Sequence, residues 1–350
     1  MIRVWRYVKR LLAGLILCLI CLLLPVAYVE TMCRGEAEPS AYAALIAPEH
    51  HRPETRTLMT YPEWHIVHAY EDYAKVIETG DPHDFRYLRA ITGFWSSLCS
   101  LTSASAEHGD IDGPTKQMVH VIGVSFTAEL LLKAAYEETL GRLFAALRGT
   151  ERAPLDDVSA KQAADYAMFL QQVPWYQWQF REDVADLKAK ATGQLRDRER
   201  ALALGLEYGA KAAYAEVIAS AVAQVGPDAL SLRLILKDVD QTVLQEIDDL
   251  TIVAHRAEGI EVEAPRYRAL THILQHLALQ GANFVELAGN DDVMFTVLSN
   301  AAELDGSIHS RSRQGHHDHR HLAMSKVTAL ADRLRTLHGD GHRLEHIHDY

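Results

Sequence analysis

Cysteine is scarce in this chain. Four cysteines in 350 residues are too few for a disulfide scaffold. Two of them, Cys18 and Cys21, fall in an apolar run, so their C-x-x-C spacing reads as packing rather than zinc or redox chemistry. Also missing are Gly-x-Ser-x-Gly, a Gly-Lys-Ser/Thr phosphate loop and Gly-x-Gly-x-x-Gly. Without them the nucleophile-elbow and nucleotide-binding readings have no sequence support. Basic residues are outnumbered, 35 against 47 acidic, for a formal net charge of −12. That balance disfavours a nucleic-acid partner.

What the chain does have is one long apolar run. Leu11 to Val29 carries no charge, follows Arg3, Arg6, Lys9 and Arg10, and precedes Glu30, Glu36 and Glu38. At about 1.5 Å per residue it spans a hydrocarbon core of roughly 30 Å. The run is longer than a signal-peptide core, and Ala27-Tyr28-Val29 offers no small-x-small cleavage site. It is therefore read as an uncleaved single-pass anchor. Basic residues on its N-terminal side place the N-terminus in the cytoplasm and the bulk outside, in the periplasm of a Gram-negative source. Cys33 and Cys99 then share an oxidising compartment that permits a bridge, although sequence separation says nothing about their distance in space.

The expected fold class is α+β, mainly α. A basic cytoplasmic segment (1–10) precedes the anchor (11–29), a linker (30–56) and a helical domain (57–226). A small split β-α-β-like domain (227–304) and a mobile histidine-rich tail (305–350) follow. Thr60-Tyr61-Pro62-Glu63 reads as a helix start. Apolar residues recur near the 3.6 period over Phe126–Leu147, and helices are also read over Ala160–Gln172 and Leu202–Val225. After Gly226-Pro227, strands are read at Leu230–Leu236, Leu250–Ala254, Ile260–Val262, Phe284–Leu287 and Val293–Leu298. Pro265–Gln280 reads as a helix ended by Gly281, and Leu322–Leu337 as a helix within the tail. No fixed-period repeat is apparent.

The tail is the most unusual composition after the anchor, holding nine of the nineteen histidines. Neutral imidazole ligates zinc, nickel and copper. His316, His317, His319, His321, His342, His346 and His348 are therefore the residues expected to capture metal weakly, with Asp318, Asp340, Glu345 and Asp349 as added oxygen donors. No cofactor is required. Truncation after Leu304 is expected to spare the fold, because a polar tail buries little apolar surface.

The body offers weaker constellations. On a helix, His65 and His68 lie three apart and Asp72 four further on, a set that suits a hydrolytic metal with an open position. The plainer reading places them at the polar edge of an amphipathic helix. His272 and His276 fall on or beside the solvent side of their helical wheel. His108, Asp110, Asp112 and His120 flank a Gly-containing loop, more simply a capped turn. The aromatics of Pro174–Phe180 read as interhelical packing. The reading is a membrane-anchored, extracytoplasmic, non-catalytic binding or assembly protein, with the membrane and a membrane-associated protein as partners. A membrane-tethered metal-dependent hydrolase using His65, His68 and Asp72 is the alternative.

Overall fold

The computed structural model describes residues 2–36, 42–225 and 230–348. Linker residues 37–41, the Gly226-Pro227 boundary and Asp349 lie outside the described residues. The chain opens with α1 (Ile2–Met32) and continues with α2 (Glu54–Thr79), α3 (Tyr87–Ala104), α4 (Gly113–Tyr136), α5 (Arg142–Arg148), α6 (Pro154–Leu170), α7 (Phe180–Lys190) and α8 (Leu195–Val225). Then come β1 (Ser231–Lys237), α9 (Gln241–Gln245), β2 (Thr251–His255), β3 (Ile260–Pro265), α10 (Arg268–Leu279) and β4 (Asn283–Leu287). The chain closes with β5 (Asp292–Ser299), β6 (Ser307–Ser312), β7 (His319–Lys326), α11 (Val327–Gly339) and β8 (Arg343–His348). The architecture is α+β and mainly α: a helical N-terminal region followed by two small antiparallel sheets.

Helix α1 leaves Leu12, Ile16, Leu17, Leu19, Ile20, Leu23 and Leu24 exposed, and only its last turns, through Val26 and Val29, join the helical core. Of the described helices, α1 and the α4–α5 run over Gly113–Arg148 are long and apolar enough to cross a membrane. Cys33, just past α1, is disulfide-bonded to Cys99 on α3, with their Cα atoms 5.0 Å apart. An apolar N-terminal helix together with a disulfide suggests a secretory-pathway or membrane protein.

Helix α2 starts at Glu54, earlier than Thr60, and carries Pro62 inside it; the Thr60 hydroxyl instead donates to the Thr57 carbonyl. It is the hub of the helical region, with α3, α4 and α6 packed around it. Asp112 caps α4 by accepting from the Thr115 amide, as the turn reading of that loop expects. Trp178 and Phe180 pack against Tyr166, and Trp175 lies in the same small aromatic cluster.

The second half differs most from the sequence reading. There is no mobile tail among the described residues, because residues 307–348 form β6, β7, α11 and β8. Apart from α9, which lies between β1 and β2 and has no counterpart between β5 and β6, the chain runs through the same element order twice. The first sheet has strand order β2-β3-β1-β4, and the second has the matching order β6-β7-β5-β8. Leu270, Leu274, Leu277 and Gly281 recur sixty positions on as Leu330, Leu334, Leu337 and Gly341. All six leucines are buried in one core shared by both units. Both glycines lie at positive φ, +95° and +73°, where a helix ends and a side chain would be strained. Helix α11 packs on β4 of the first unit and α10 on β8 of the second, so each helix covers the other unit's sheet. Truncation after Leu304 would therefore remove half of a common core, not a loose tail.

The linker is also ordered where described. Glu286, buried on the far face of the first sheet, accepts from Tyr42 Oη at 2.6 Å and from the amides of Leu45 (2.6 Å) and Ile46 (2.7 Å). This straps residues 42–52 across that face, and Asn290 Nδ2 donates to the Arg52 carbonyl at its end.

Candidate site at the helix–sheet seam

Period-two alternation gives the second sheet two working faces. Phe295, Val297, Ala323 and Ile347 point into the core shared with α10 and α11. Met294 and Leu322 point the other way and join the helical core. On α2, Tyr61, Trp64, His65, His68, Glu71 and Asp72 recur at the three- and four-residue steps that define one helix face. An interior helix usually fills that face with aliphatic residues. Here it meets Arg311, Arg313 and Arg320 from β6 to β7, and Glu345, His346 and His348 from β8.

His65 and His68 are buried, 0% and 3% exposed, rather than edging into solvent. His65 Nε2 lies 2.9 Å from the Ala90 carbonyl, and the Arg311 Nη1 atom sits 3.0 Å from both ring nitrogens. Burial first, and the Arg311 charge second, hold His65 well below the usual imidazole range. His68 lies 3.7 Å from both Glu71 and Glu345, too far for hydrogen bonding, and neither of its ring nitrogens has a hydrogen-bond partner. Asp72 accepts from the Gln314 amide at 3.0 Å and lies 3.9 Å from Arg313. The ligating atoms of His65, His68 and Asp72 are not among the three-residue groupings found in the described residues. The groupings present there are His68–Glu71–Glu345 and Glu54–His108–Asp292.

An ion-pair lattice surrounds the first of these. Arg320, 1% exposed, holds both oxygens of Glu345 at 2.5 and 2.6 Å and one of Glu71 at 3.1 Å. Arg313 takes the other Glu71 oxygen at 2.8 Å and both oxygens of Asp318. Burial opposes the charge on Glu345, but Arg320 outweighs it and draws that carboxyl far below its usual range.

The tail histidines are dispersed. Trp64 stacks on His346 with ring centroids 3.7 Å apart, and Tyr61 meets His348 edge-on at 5.1 Å. Burial pushes His346 down to about 3 and holds His348 well below the usual imidazole range. His321 lies on the opposite side of its strand, bonded to Ser299 and Ser310. His319 stacks beside it at 6.3 Å. His316 meets Arg313, while His317 is exposed and His342 half-buried in turns. No three of these seven form a grouping of ligand atoms among the described residues. His272 and His276 are exposed. His108 pairs with Glu54 at 2.5 Å and His120 with Glu30 at 3.5 Å, so they serve separate contacts.

Beside the lattice, a cavity of about 330 Å³ opens between α2, α3 and β6. Asp72, Arg89, Gly93, His309, Arg311 and Gln314 are among its walls. Gly93 lets α3 approach closely: a Cβ there would lie 2.8 Å from His65 Cε1 and 2.9 Å from Arg311 Nη1. Arg311, Arg89 and Gly93 carry no signal in the sequence, since single arginines and a helical glycine are common. No protein-family model, curated protein or solved structure matches this chain.

Proposed function

We propose that this chain is a membrane-tethered, extracytoplasmic, non-catalytic binding protein, and that the cavity at the helix–sheet seam takes its ligand. The cavity itself carries the reading. Its volume lies at the lower end of the range of small-molecule sites, and it sits where two structural layers meet. The apolar α1 and the Cys33–Cys99 bridge support the compartment. Native mass spectrometry of gently extracted full-length protein tests the binding half. A small molecule should be retained by the wild type and lost when Thr92→Trp fills the cavity; retention by both, or by neither, would overturn the reading. A reporter after Tyr350 tests the other half and should be active outside the cytoplasm.

A second reading keeps a metal in the body, now at His68, Glu71 and Glu345. It is favoured by the two unpartnered nitrogens of His68. Arg320 weighs against it, because its guanidinium already holds three of the four carboxylate oxygens. Metal bound one per chain and released by His68→Ala would make this the leading account. Weak metal capture by the dispersed tail histidines would instead show as micromolar or weaker zinc binding that persists in His68→Ala.

A further inference from the structure

We propose that the cavity between α3 and β6 binds an oxyanion, a carboxylate or phosphate group on a small ligand, with the half-buried Arg311 as its cation and Arg89 at its mouth. This rests on the binding reading above and names the class of ligand.

The argument starts from an imbalance of charge. Three arginines enter the seam from β6, β7 and the turn between them, and two of them are paired with carboxylates, Arg313 with Glu71 and Asp318 and Arg320 with Glu71 and Glu345, although Nε of Arg313 and Nη1 of Arg320 have no hydrogen-bond partner. Arg311 differs. Among the described residues no carboxylate lies within ion-pair distance of it, and its hydrogen-bond contact is to neutral His65 through Nη1. Its Nε is buried without a partner. Nε and Nη2 form the side-on fork of a guanidinium, the edge that matches two oxygens of a carboxylate or phosphate. A guanidinium withdrawn from water with no carboxylate paired to it is costly, and burial lowers the pKa of Arg311 although Asp72 and Glu345 act in the opposite direction from beyond ion-pair distance.

The surroundings fit the same ligand. Arg89, exposed on α3, donates to the Ser312 carbonyl at 3.2 Å and to its hydroxyl, which fixes a second cation at the rim. His309 is held neutral, at about 4, by burial and by Arg311, and so adds no charge of its own to the lining. The carboxylate in the wall is Asp72, whose Oδ2 is bonded to the Gln314 amide and whose Oδ1 is unpartnered. With Arg89 and Arg311 against Asp72, the lining keeps an excess positive charge.

The test is thermal unfolding and calorimetric titration of the full chain in detergent, with chloride matching the ionic strength throughout. Inorganic phosphate and malonate probe a free anion; short-chain phosphatidic acid in the micelle probes a lipid headgroup; a neutral polyol is the control. Stabilisation by either anion source, weakened at least tenfold in Arg311→Met and less in Arg89→Met, supports the proposal and identifies the source. Arg311→Met without ligand should unfold no earlier than wild type, because the variant removes an uncompensated cation. The proposal fails if no anion stabilises beyond chloride, or if the increment survives in Arg311→Met. Stabilisation by the polyol alone would overturn the oxyanion assignment while leaving the cavity as a binding site.

Discussion

The two βββαβ units share strand order, helix register and one core, yet their far faces have diverged. In the first sheet, Glu261 and Glu286 flank Ile235 across the strands, and Glu286 is spent on three donors from the 42–52 strap. In the second, Leu322 and His346 flank Thr296 at the matching places, and His346 stacks on Trp64 of α2. One copy therefore closes its sheet with a piece of its own chain. The other closes it with a helix bearing histidines and carboxylates, and it is beside this copy that the cavity lies. Where a shared core already holds two sheets, the outer face of one is free to carry polar residues that would be too costly in a lone sheet.

The most severe way to break this comparison is to delete one member. Truncation after Leu304 removes Ala323, Val327, Leu330, Leu334 and Ile347 from the common core. It should abolish cooperative folding of residues 230–304, a loss comparable to a domain's whole stability of about 5–15 kcal/mol. Amide exchange reads this directly, and a first sheet that remains protected would show that the units are independent.

Acid should separate the two faces next. His65, His68, His346 and His348 are buried neutral, with His346 down to about 3. Between that value and about 6.5 the unfolded chain binds protons that the folded chain does not, so stability is retained above 6.5 and lost as pH falls below it. Each such histidine contributes a slope of up to about 1.4 kcal/mol per pH unit. Trp64 fluorescence should report loosening of the second sheet's seam before the strap on the first sheet opens; a pH-independent seam between 4 and 7 contradicts the burial argument.

Matched core substitutions sharpen the likeness. Leu274→Ala and Leu334→Ala occupy equivalent buried positions, and each should cost about 2–5 kcal/mol. Denaturant melts should show both sheets losing stability together in either variant. Glu286→Gln should have the smallest effect, about 1–2 kcal/mol, because a neutral amide replaces a charge-assisted acceptor. Limited proteolysis within 42–52 should rise in this variant and stay unchanged in His346→Gln.

Much of the first unit was legible in the sequence. Leu232, Leu234 and Leu236 alternate as strand residues do, and Gly281 marks the end of α10. The second unit was not legible beyond β5. Ser307–Ser312 are half-buried throughout and Arg343–His348 run from exposed to buried, and both carry serine, histidine or arginine where a core strand would carry aliphatic residues. Hydrophobic periodicity has no purchase on such strands, and histidine density then reads as a solvated tail. The repeat escaped notice because four spaced residues carry it, with the strand sequences between them unlike. At the site, spacing alone put His65, His68 and Asp72 on one helix side. Arg311 acquires meaning only from the carboxylates it fails to meet, of which Glu71, Asp72 and Glu345 come from segments distant from β6 or separated from it by another strand.

The Cys33–Cys99 bridge has a mechanical consequence. Cys99 lies on the same helix as Arg89, Thr92, Gly93 and Ser96, which form one wall of the cavity. A pull on α1 therefore reaches that wall through a covalent bond and a rigid rod, without passing through residues 34–53. The pocket rides at a set height above whatever holds α1, and tension there strains its mouth directly. Cutting the bridge would remove that direct coupling.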